Sequence, residues 1–218
     1  IIPDSVKDID ISAFVGCYSL KDIQCSQSLK SKFVNVLEVE KDKGKLLKDD
    51  YSDTSNIESL EIPLGTDVEP TFFSKYKNLK CIKCDPKFLK YVDKKSLKAA
   101  IIPIGITEIS EDIFKGCENL EYIEIPSSVE NIQKATFDSC KNLHCVKCDP
   151  KFLQYFNKSN LKSIIVDNNT TQIKRNAFVG CDNIESIFLP DAFSWFESEL
   201  FDSCKKLVNI QYSSGKKS

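Results

Sequence analysis

The sequence predicts a solenoid of stacked repeats in which about ten short strands form one parallel β-sheet. Two internal repeats lead to this prediction. Residues 102–124 recur directly as residues 125–147, with Ile-Pro, Phe, Cys and Asn-Leu at matching positions. Residues 81–103 recur further along the chain as residues 145–167. A fixed period of about 20–50 residues is typical of solenoids, because one such unit cannot bury its apolar face alone.

A Leu-x-x-Ile-x-Ile pattern opens each candidate strand and gives the order of the units. Its first residues are Leu20, Val34, Ile57, Leu79, Leu97, Leu120, Leu143, Leu161, Ile184 and Leu207. One short unit followed by two long units makes one super-repeat. We therefore expect residues 1–218 to form a single solenoid domain, mostly β with short helical or turn units. Its super-repeats are predicted at about 20–78, 79–142 and 143–206.

The segment 26–56 is the least regular part of the chain. Val34, Leu37 and Val39 follow the strand pattern, so we interpret the segment as a degenerate repeat. The alternative is a disordered surface loop, which Gly44 and the many charged residues favour because charged chains prefer solvation. The sequence leaves open whether residues 40–56 are an ordered repeat or a loop.

Within one unit, the alternation at residues 121–126 predicts a strand with Ile123 and Ile125 inward. Pro126 ends this strand, because proline has no N–H to donate to the sheet. Asp-Pro at 85–86 and 149–150 predicts the start of a short helix in each short unit. One buried column is predicted for Phe14, Phe73, Phe114, Phe137, Phe178 and Phe201.

The repeat unit resembles a known family. Ala-Phe-Val-Gly-Cys at residues 13–17 and again at 177–181, after Ile-Pro and Ile positions, is similar to the BspA-type leucine-rich repeat of bacteria and protist parasites. The resemblance covers nearly the whole chain, although the short units depart from the family pattern. It implies a curved right-handed solenoid with the parallel sheet on its concave face. It also implies binding, adhesion or scaffolding, with no catalytic residues and no cofactor.

Composition limits the classes of partner. The formal net charge of −2 argues against nucleic acid as the main partner. No apolar run approaches the ~18 residues of a transmembrane helix, so we expect no membrane insertion. The chain has no Met and opens at Ile1 within a repeat, so we expect that the native N-terminus is missing and that the sequence does not give the compartment.

Most of the ten cysteines occupy apolar positions of the repeat, which predicts buried free thiols. Oxidation of neighbours in one column, such as Cys117 and Cys140, stays an open alternative. The two Cys-x-x-Cys pairs at 81–84 and 145–148 imitate metal sites. Residues three apart on a strand face opposite ways, so we expect no metal there. His144 is interpreted as an exposed polar residue.

The third and fifth positions of each pattern point away from the core, and we call the sheet surface that they form the concave face. Its apolar side chains, rimmed by charges, predict a protein interface. The predicted partner-binding residues are Tyr122, Phe188, Ile101, Ile165, Lys83, Lys147, Glu124 and Glu61. Tyr122 and Phe188 are the expected anchors, exposed and unimportant for stability. The alternative is that these apolar residues are scattered on an ordinary surface.

The predicted function is a non-enzymatic protein-interaction module or scaffold that binds a protein partner on the concave face. An intracellular adaptor or regulatory subunit, for instance of a phosphatase, fits the free cysteines, and the cytoplasm is the favoured location. The alternative is a cell-surface adhesin that binds host protein or glycan. Glycosylation sequons at 157–159, 168–170 and 169–171 matter only in that case. Neither the partner nor the oligomeric state can be predicted.

Overall fold

The computed structural model describes residues 57–191, 193 and 198–212, together with the backbone of one strand at Asn35–Val36. The strands in chain order are β1 (Asn35–Val36), β2 (Ser59–Glu61), β3 (Cys81–Lys83), β4 (Ala99–Ile101), β5 (Glu108–Ile109), β6 (Tyr122–Glu124), β7 (Asn131–Ile132), β8 (Cys145–Cys148), β9 (Ser163–Val166), β10 (Ser186–Leu189) and β11 (Asn209–Tyr212). All pairs are parallel. Nine strands form one sheet in the order β1-β2-β3-β4-β6-β8-β9-β10-β11. The predicted sheet of stacked repeats is confirmed.

Short 3-10 helices connect the strands, at Pro70–Lys75, Pro86–Tyr91, Pro150–Tyr155, Lys158–Asn160 and Ser198–Phe201. The Asp-Pro prediction is confirmed in both short units. The carboxylates of Asp85 and Asp149 accept hydrogen bonds from the backbone N–H of Lys87 and Lys151, at 3.1 and 2.9 Å. β5 and β7 pair in a separate small sheet, which the sequence did not predict.

The core follows the inward positions of the strand pattern. Ile123 and Ile125 of one long unit, like Ile187 and Leu189 of another, are almost completely buried. One continuous cluster of buried apolar residues runs from Ile57 to Cys204. This continuity explains why the units need their neighbours, since each apolar side chain is covered by the unit before and after it.

The predicted column of phenylalanines is buried wherever the structure describes it, and Phe14 lies outside the described residues. Ring centroids are 5.2 Å apart for Phe114 and Phe137, and 5.1 Å apart for Phe178 and Phe201. A short unit adds Phe156, whose ring stacks on Phe137 at 4.6 Å. The short helices therefore continue the column across units that lack the Ala-Phe-x-Gly-Cys motif.

The turns between units are held by side chains that bond to backbone carbonyls. Lys94 Nζ donates to the carbonyls of Ile113 and Lys115, both at 2.8 Å. Lys158, at the equivalent position of the next super-repeat, donates in the same way to Ala177 and Val179, at 3.0 and 2.8 Å. These bonds satisfy carbonyl oxygens that the tight turns leave outside the sheet.

One register differs from the sequence expectation. β1 pairs Val36 with Glu61, whereas the repeat pattern aligned Val36 with Ser59. The register is shifted by two residues, which is the side-chain period of a strand. A parallel strand at Asn35–Val36 agrees with the interpretation of this region as a degenerate repeat. Residues 40–56 lie outside the described part of the chain.

Candidate functional site: the concave face

The strand registers place the third and fifth positions in two continuous rows. The third-position row is Ser59, Cys81, Ala99, Tyr122, Cys145, Ser163, Ser186 and Asn209, and the fifth-position row is Glu61, Lys83, Ile101, Glu124, Lys147, Ile165, Phe188 and Gln211. Apolar members of both rows form their own cluster, separate from the core. All eight predicted binding residues therefore lie on one face of the sheet.

The four charged candidates form ion pairs with one another. Lys83 Nζ lies 2.6 Å from Glu61 Oε1, and Lys147 Nζ lies 2.7 Å from Glu124 Oε1. The Tyr122 hydroxyl donates to the other oxygen of Glu124 at 3.1 Å. Each pair joins adjacent strands, so opposite charges are neutralised within the face itself. These residues contribute little net charge for steering a partner.

The expected exposure of two apolar candidates is wrong. Tyr122 is only 6% exposed and Ile165 only 4%. Their cluster also contains Ala99 and Cys145, the small residues that flank Tyr122 in its row. Parallel strands lie ~4.8 Å apart, so a large side chain beside small neighbours lies over them and loses its own exposure. Tyr122 and Ile165 therefore pack against neighbouring side chains of this face and leave little of their own surface exposed.

Phe188 and Ile101 are the apolar candidates that remain half-buried, packed against the edge of this cluster. Around Phe188, strands β9–β11 carry no charged residue in either row. We call this uncharged area the C-terminal patch, formed by Ser163, Ile165, Ser186, Phe188, Asn209 and Gln211. The sequence analysis named Phe188 as an anchor and also Ile165, but it did not single out this uncharged area because it grouped them with the charged residues of β2–β8.

The thiols on and behind this face are not suited to nucleophilic chemistry. Cys81 and Cys145 lie on the concave face, whereas Cys84 and Cys148 lie in the core, so each Cys-x-x-Cys pair is split between the two faces. Burial raises the pKa of Cys81 to about 11 and that of Cys145 to about 12. The reactive nucleophile is the deprotonated thiolate, which is scarce at neutral pH when the pKa of the thiol is this high. Within the described ranges, no group of three or more metal-ligating side chains comes together.

This fold and face define the class of the protein as a leucine-rich repeat solenoid. The chain belongs to the BspA-type leucine-rich repeat family, whose model matches residues 1–38, 45–152 and 90–207 with 6 copies. Proteins built from such repeats are generally binding modules that contact other proteins. Among the residues that the structure describes, no helix has the length and apolar character needed to cross a bilayer.

Several solved structures are similar to this chain at low sequence identity. The Toll–Spätzle complex of Drosophila matches with a TM-score of 0.56 and 19% identity over 72% of this chain, which spans only 23% of that chain. A leucine-rich cell surface protein from Faecalibacterium prausnitzii gives a TM-score of 0.35 and 18% identity, covering 93% of this chain and 68% of that one. A leucine-rich repeat protein of T. pallidum gives 0.35 and 18%, covering 81% and 79%. No curated protein sequence matches this chain.

Proposed function

We propose that this chain is a non-enzymatic interaction module that binds a protein partner on the C-terminal patch of its concave face. The BspA-type family supports a binding role, because leucine-rich repeats generally contact proteins. The observation that carries the proposal is the half-buried Phe188 within three uncharged strands. Aromatic side chains are enriched at protein interfaces, and charged residues are depleted at their cores.

The rest of the concave face supports this location by contrast. Ion pairs Lys83–Glu61 and Lys147–Glu124 occupy the fifth positions of four strands. A partner that bound over these pairs would have to desolvate both members of each pair. The contacts that it made with them would not readily offset that free-energy cost. The patch around Phe188 has no such cost. A partner gains most by burying Phe188 and hydrogen bonding to Ser186 and Gln211.

We also propose an intracellular setting, in which the chain serves as an adaptor or as a regulatory subunit, for instance of a phosphatase. Support comes from the eight described cysteines, which are free thiols, seven of them buried. Small secreted folds commonly rely on disulfides, whereas cytosolic proteins keep thiols reduced. Continued reduction of these thiols in the protein isolated from its own cell is the observation that this setting requires.

A cell-surface adhesin is the second candidate, and family membership is the observation that favours it, because BspA-type repeats are often found in surface proteins. Asn157 and Asn168 are exposed and begin glycosylation sequons. Mass spectrometry of the native protein separates the two settings. Glycans on these asparagines or intramolecular disulfides support the adhesin, and unmodified residues support the intracellular module.

Site-specific photo-crosslinking tests the location of the interface. A photoreactive phenylalanine analogue replaces Phe188 in one variant and Ile104 in another. Ile104 is a suitable control because it is an apolar side chain with 77% exposure that lies outside the concave face. We expect a discrete crosslinked partner in native lysate from position 188 and none from position 104. The same partner crosslinked only from position 104 would overturn the proposal.

A further inference from the structure

A second surface of the solenoid forms a polar groove at the turns that lead into strands β8–β11. The groove has a volume of about 470 Å³. Its lining includes Lys141, Lys162, Lys206, Asn160, Asn183 and Glu185. All of the residues that line it are polar, in contrast to the Phe188 side of the same strands. A groove of this composition favours a hydrophilic ligand over an apolar peptide.

The three lysines of the groove have no acidic partner within the described part of the chain. Lysines elsewhere along the sheet do, as in Lys80–Glu58 at 2.9 Å and Lys98–Glu121 at 3.2 Å. Glu185 lines the groove but forms no ion pair with any of its lysines. The groove therefore carries a local positive charge on a chain whose formal net charge is −2. Unneutralised cations in a concave site attract anionic ligands.

Besides the lysine ammonium groups, the groove offers hydrogen-bond acceptors on its asparagine side chains. Asn160 donates through Nδ2 to the carbonyl of Lys141 at 2.9 Å, and Asn183 donates through Nδ2 to the carbonyl of Ser159 at 2.7 Å. Each bond uses one of the two N–H groups of the amide and orients the side chain. The two Oδ1 oxygens have no donor among the described residues, so each is left to accept one. The matching ligand carries hydroxyl donors as well as anionic groups.

We propose that this groove binds an anionic carbohydrate, with the lysines holding sulfate or carboxylate groups and the asparagine oxygens accepting from sugar hydroxyls. An acidic polypeptide also satisfies the lysines, but it has only one backbone N–H per residue to donate to the asparagine oxygens, whereas each sugar residue carries several hydroxyl donors beside its anionic groups. The groove spans four adjacent units, or ~14 Å at the strand spacing, which suits a short oligosaccharide. This site is separate from the protein-binding patch and does not depend on it.

Binding of a heparin hexasaccharide, which carries both sulfate and carboxylate groups, tests the proposal in physiological salt. The test variant is K141Q/K162Q/K206Q. The matched control is K115Q/K134Q/K174Q, which removes three exposed lysines that form no ion pair with any described residue and lie outside the groove. We expect the test variant to bind about tenfold or more weakly, because three charge contacts are lost. The control should stay within about twofold of the unmodified protein.

The E185Q variant provides a second test. Its expected effect is tighter binding, which an unfolded protein would not show. It removes the negative charge from the groove, so affinity for the hexasaccharide should rise by about threefold. Desulfated hexasaccharide and an oligoglutamate of equal charge are the comparison ligands, and both should bind more weakly. The proposal is overturned by equal losses in the two triple variants, by oligoglutamate binding as tightly as the sugar, or by no binding of the hexasaccharide at all.

Discussion

Tyr122 shows how a residue on the concave face can stabilise the fold instead of binding a partner. Its ring is 6% exposed and covers Ala99 and Cys145, while its hydroxyl donates to Glu124. The alternation of the strand predicted the face on which Tyr122 lies. It did not predict burial, because burial on a sheet depends on the size of the cross-strand neighbours, which belong to other repeat units and lie far away in the sequence.

Tyr122→Ala should therefore destabilise the protein. Loss of the buried ring is expected to lower the free energy of unfolding by about 3 kcal/mol. Tyr122→Phe keeps the packing and loses only the hydroxyl bond, for about 1 kcal/mol. Urea denaturation measures both values, with the half-buried Phe188→Ala as the control. A loss from Tyr122→Ala no larger than that from Phe188→Ala would show that the ring is not a packing residue.

At the scale of elements, the repeat pattern predicted the strands and short helices better than the contacts that connect them. Strand positions, the parallel pairing and the capped short helices all follow from the two repeat periods, because they depend on which residues are apolar or are Asp-Pro. The recurrence of Ile109 as Ile132 predicted buried side chains there, but the pairing of β5 with β7 was missed because two residues are too few to show the alternation of a strand. The lysine bonds to turn carbonyls were also missed, since a backbone acceptor leaves no trace in the sequence.

The turn that these lysines contact needs the glycine of the Gly-Cys motif because of its backbone conformation. Gly116 and Gly180 have φ angles of +86° and +84°, which side chains other than glycine rarely adopt. Both lie beside a lysine stem, with Lys94 Cδ 3.9 Å and Lys158 Cδ 3.6 Å from where a Cβ would be. The short unit and the following long unit are thus joined through this turn.

Lys158→Met tests that connection, because methionine keeps much of the apolar stem and lacks the ammonium group. Loss of the bonds to Ala177 and Val179 should lower the free energy of unfolding by about 2 kcal/mol. Lys151→Met is the control, since Lys151 is exposed and lies 4.0 Å from Asp149. Equal denaturation midpoints for the two variants would mean that the turn is held by other contacts.

At the scale of the whole molecule, the cysteines make stability depend on pH. Burial raises the pKa of Cys117 to about 11 and that of Cys140 to about 12, and it also raises the pKa of Cys148. The folded protein therefore retains thiol protons that the unfolded chain releases from about pH 9.0 upward. The stabilising contribution of these thiols is complete below pH 9 and is lost as the pH rises toward 11–12.

The free energy of unfolding, measured with urea under reducing conditions, should fall between pH 9 and pH 10. Each thiol with a raised pKa lowers the free energy of unfolding by up to about 1.4 kcal/mol for each pH unit in this range. Cys148→Val is the matched variant, because Val166 occupies the paired position on the next strand. Its alkaline loss should be smaller by about that amount. If the variant and the unmodified protein lose stability equally, Cys148 does not retain its proton in the folded state.

The binding site that we propose on the concave face was predictable from sequence only in outline. The repeat identified the rows, but the choice of residues within them required the ion pairs of Lys83 and Lys147 and the burial of Tyr122 and Ile165. Phe188 stays a predicted anchor, and it lies among the uncharged strands. The charged segment 41–53 is the alternative binding site that the sequence predicts if the concave face does not bind, and it lies outside the described residues.

The affinity of the crosslinked partner for Phe188→Ala is the most direct measurement of the proposed function. We expect binding to weaken about 30-fold or more, the effect of losing a hot-spot side chain worth about 2 kcal/mol. Ile104→Ala, which shortens an exposed apolar residue elsewhere, should bind as the unmodified protein does, and thermal melts should show both variants folded. Unchanged affinity in Phe188→Ala, together with loss of binding when charges in residues 41–53 are replaced, would contradict a concave-face interface.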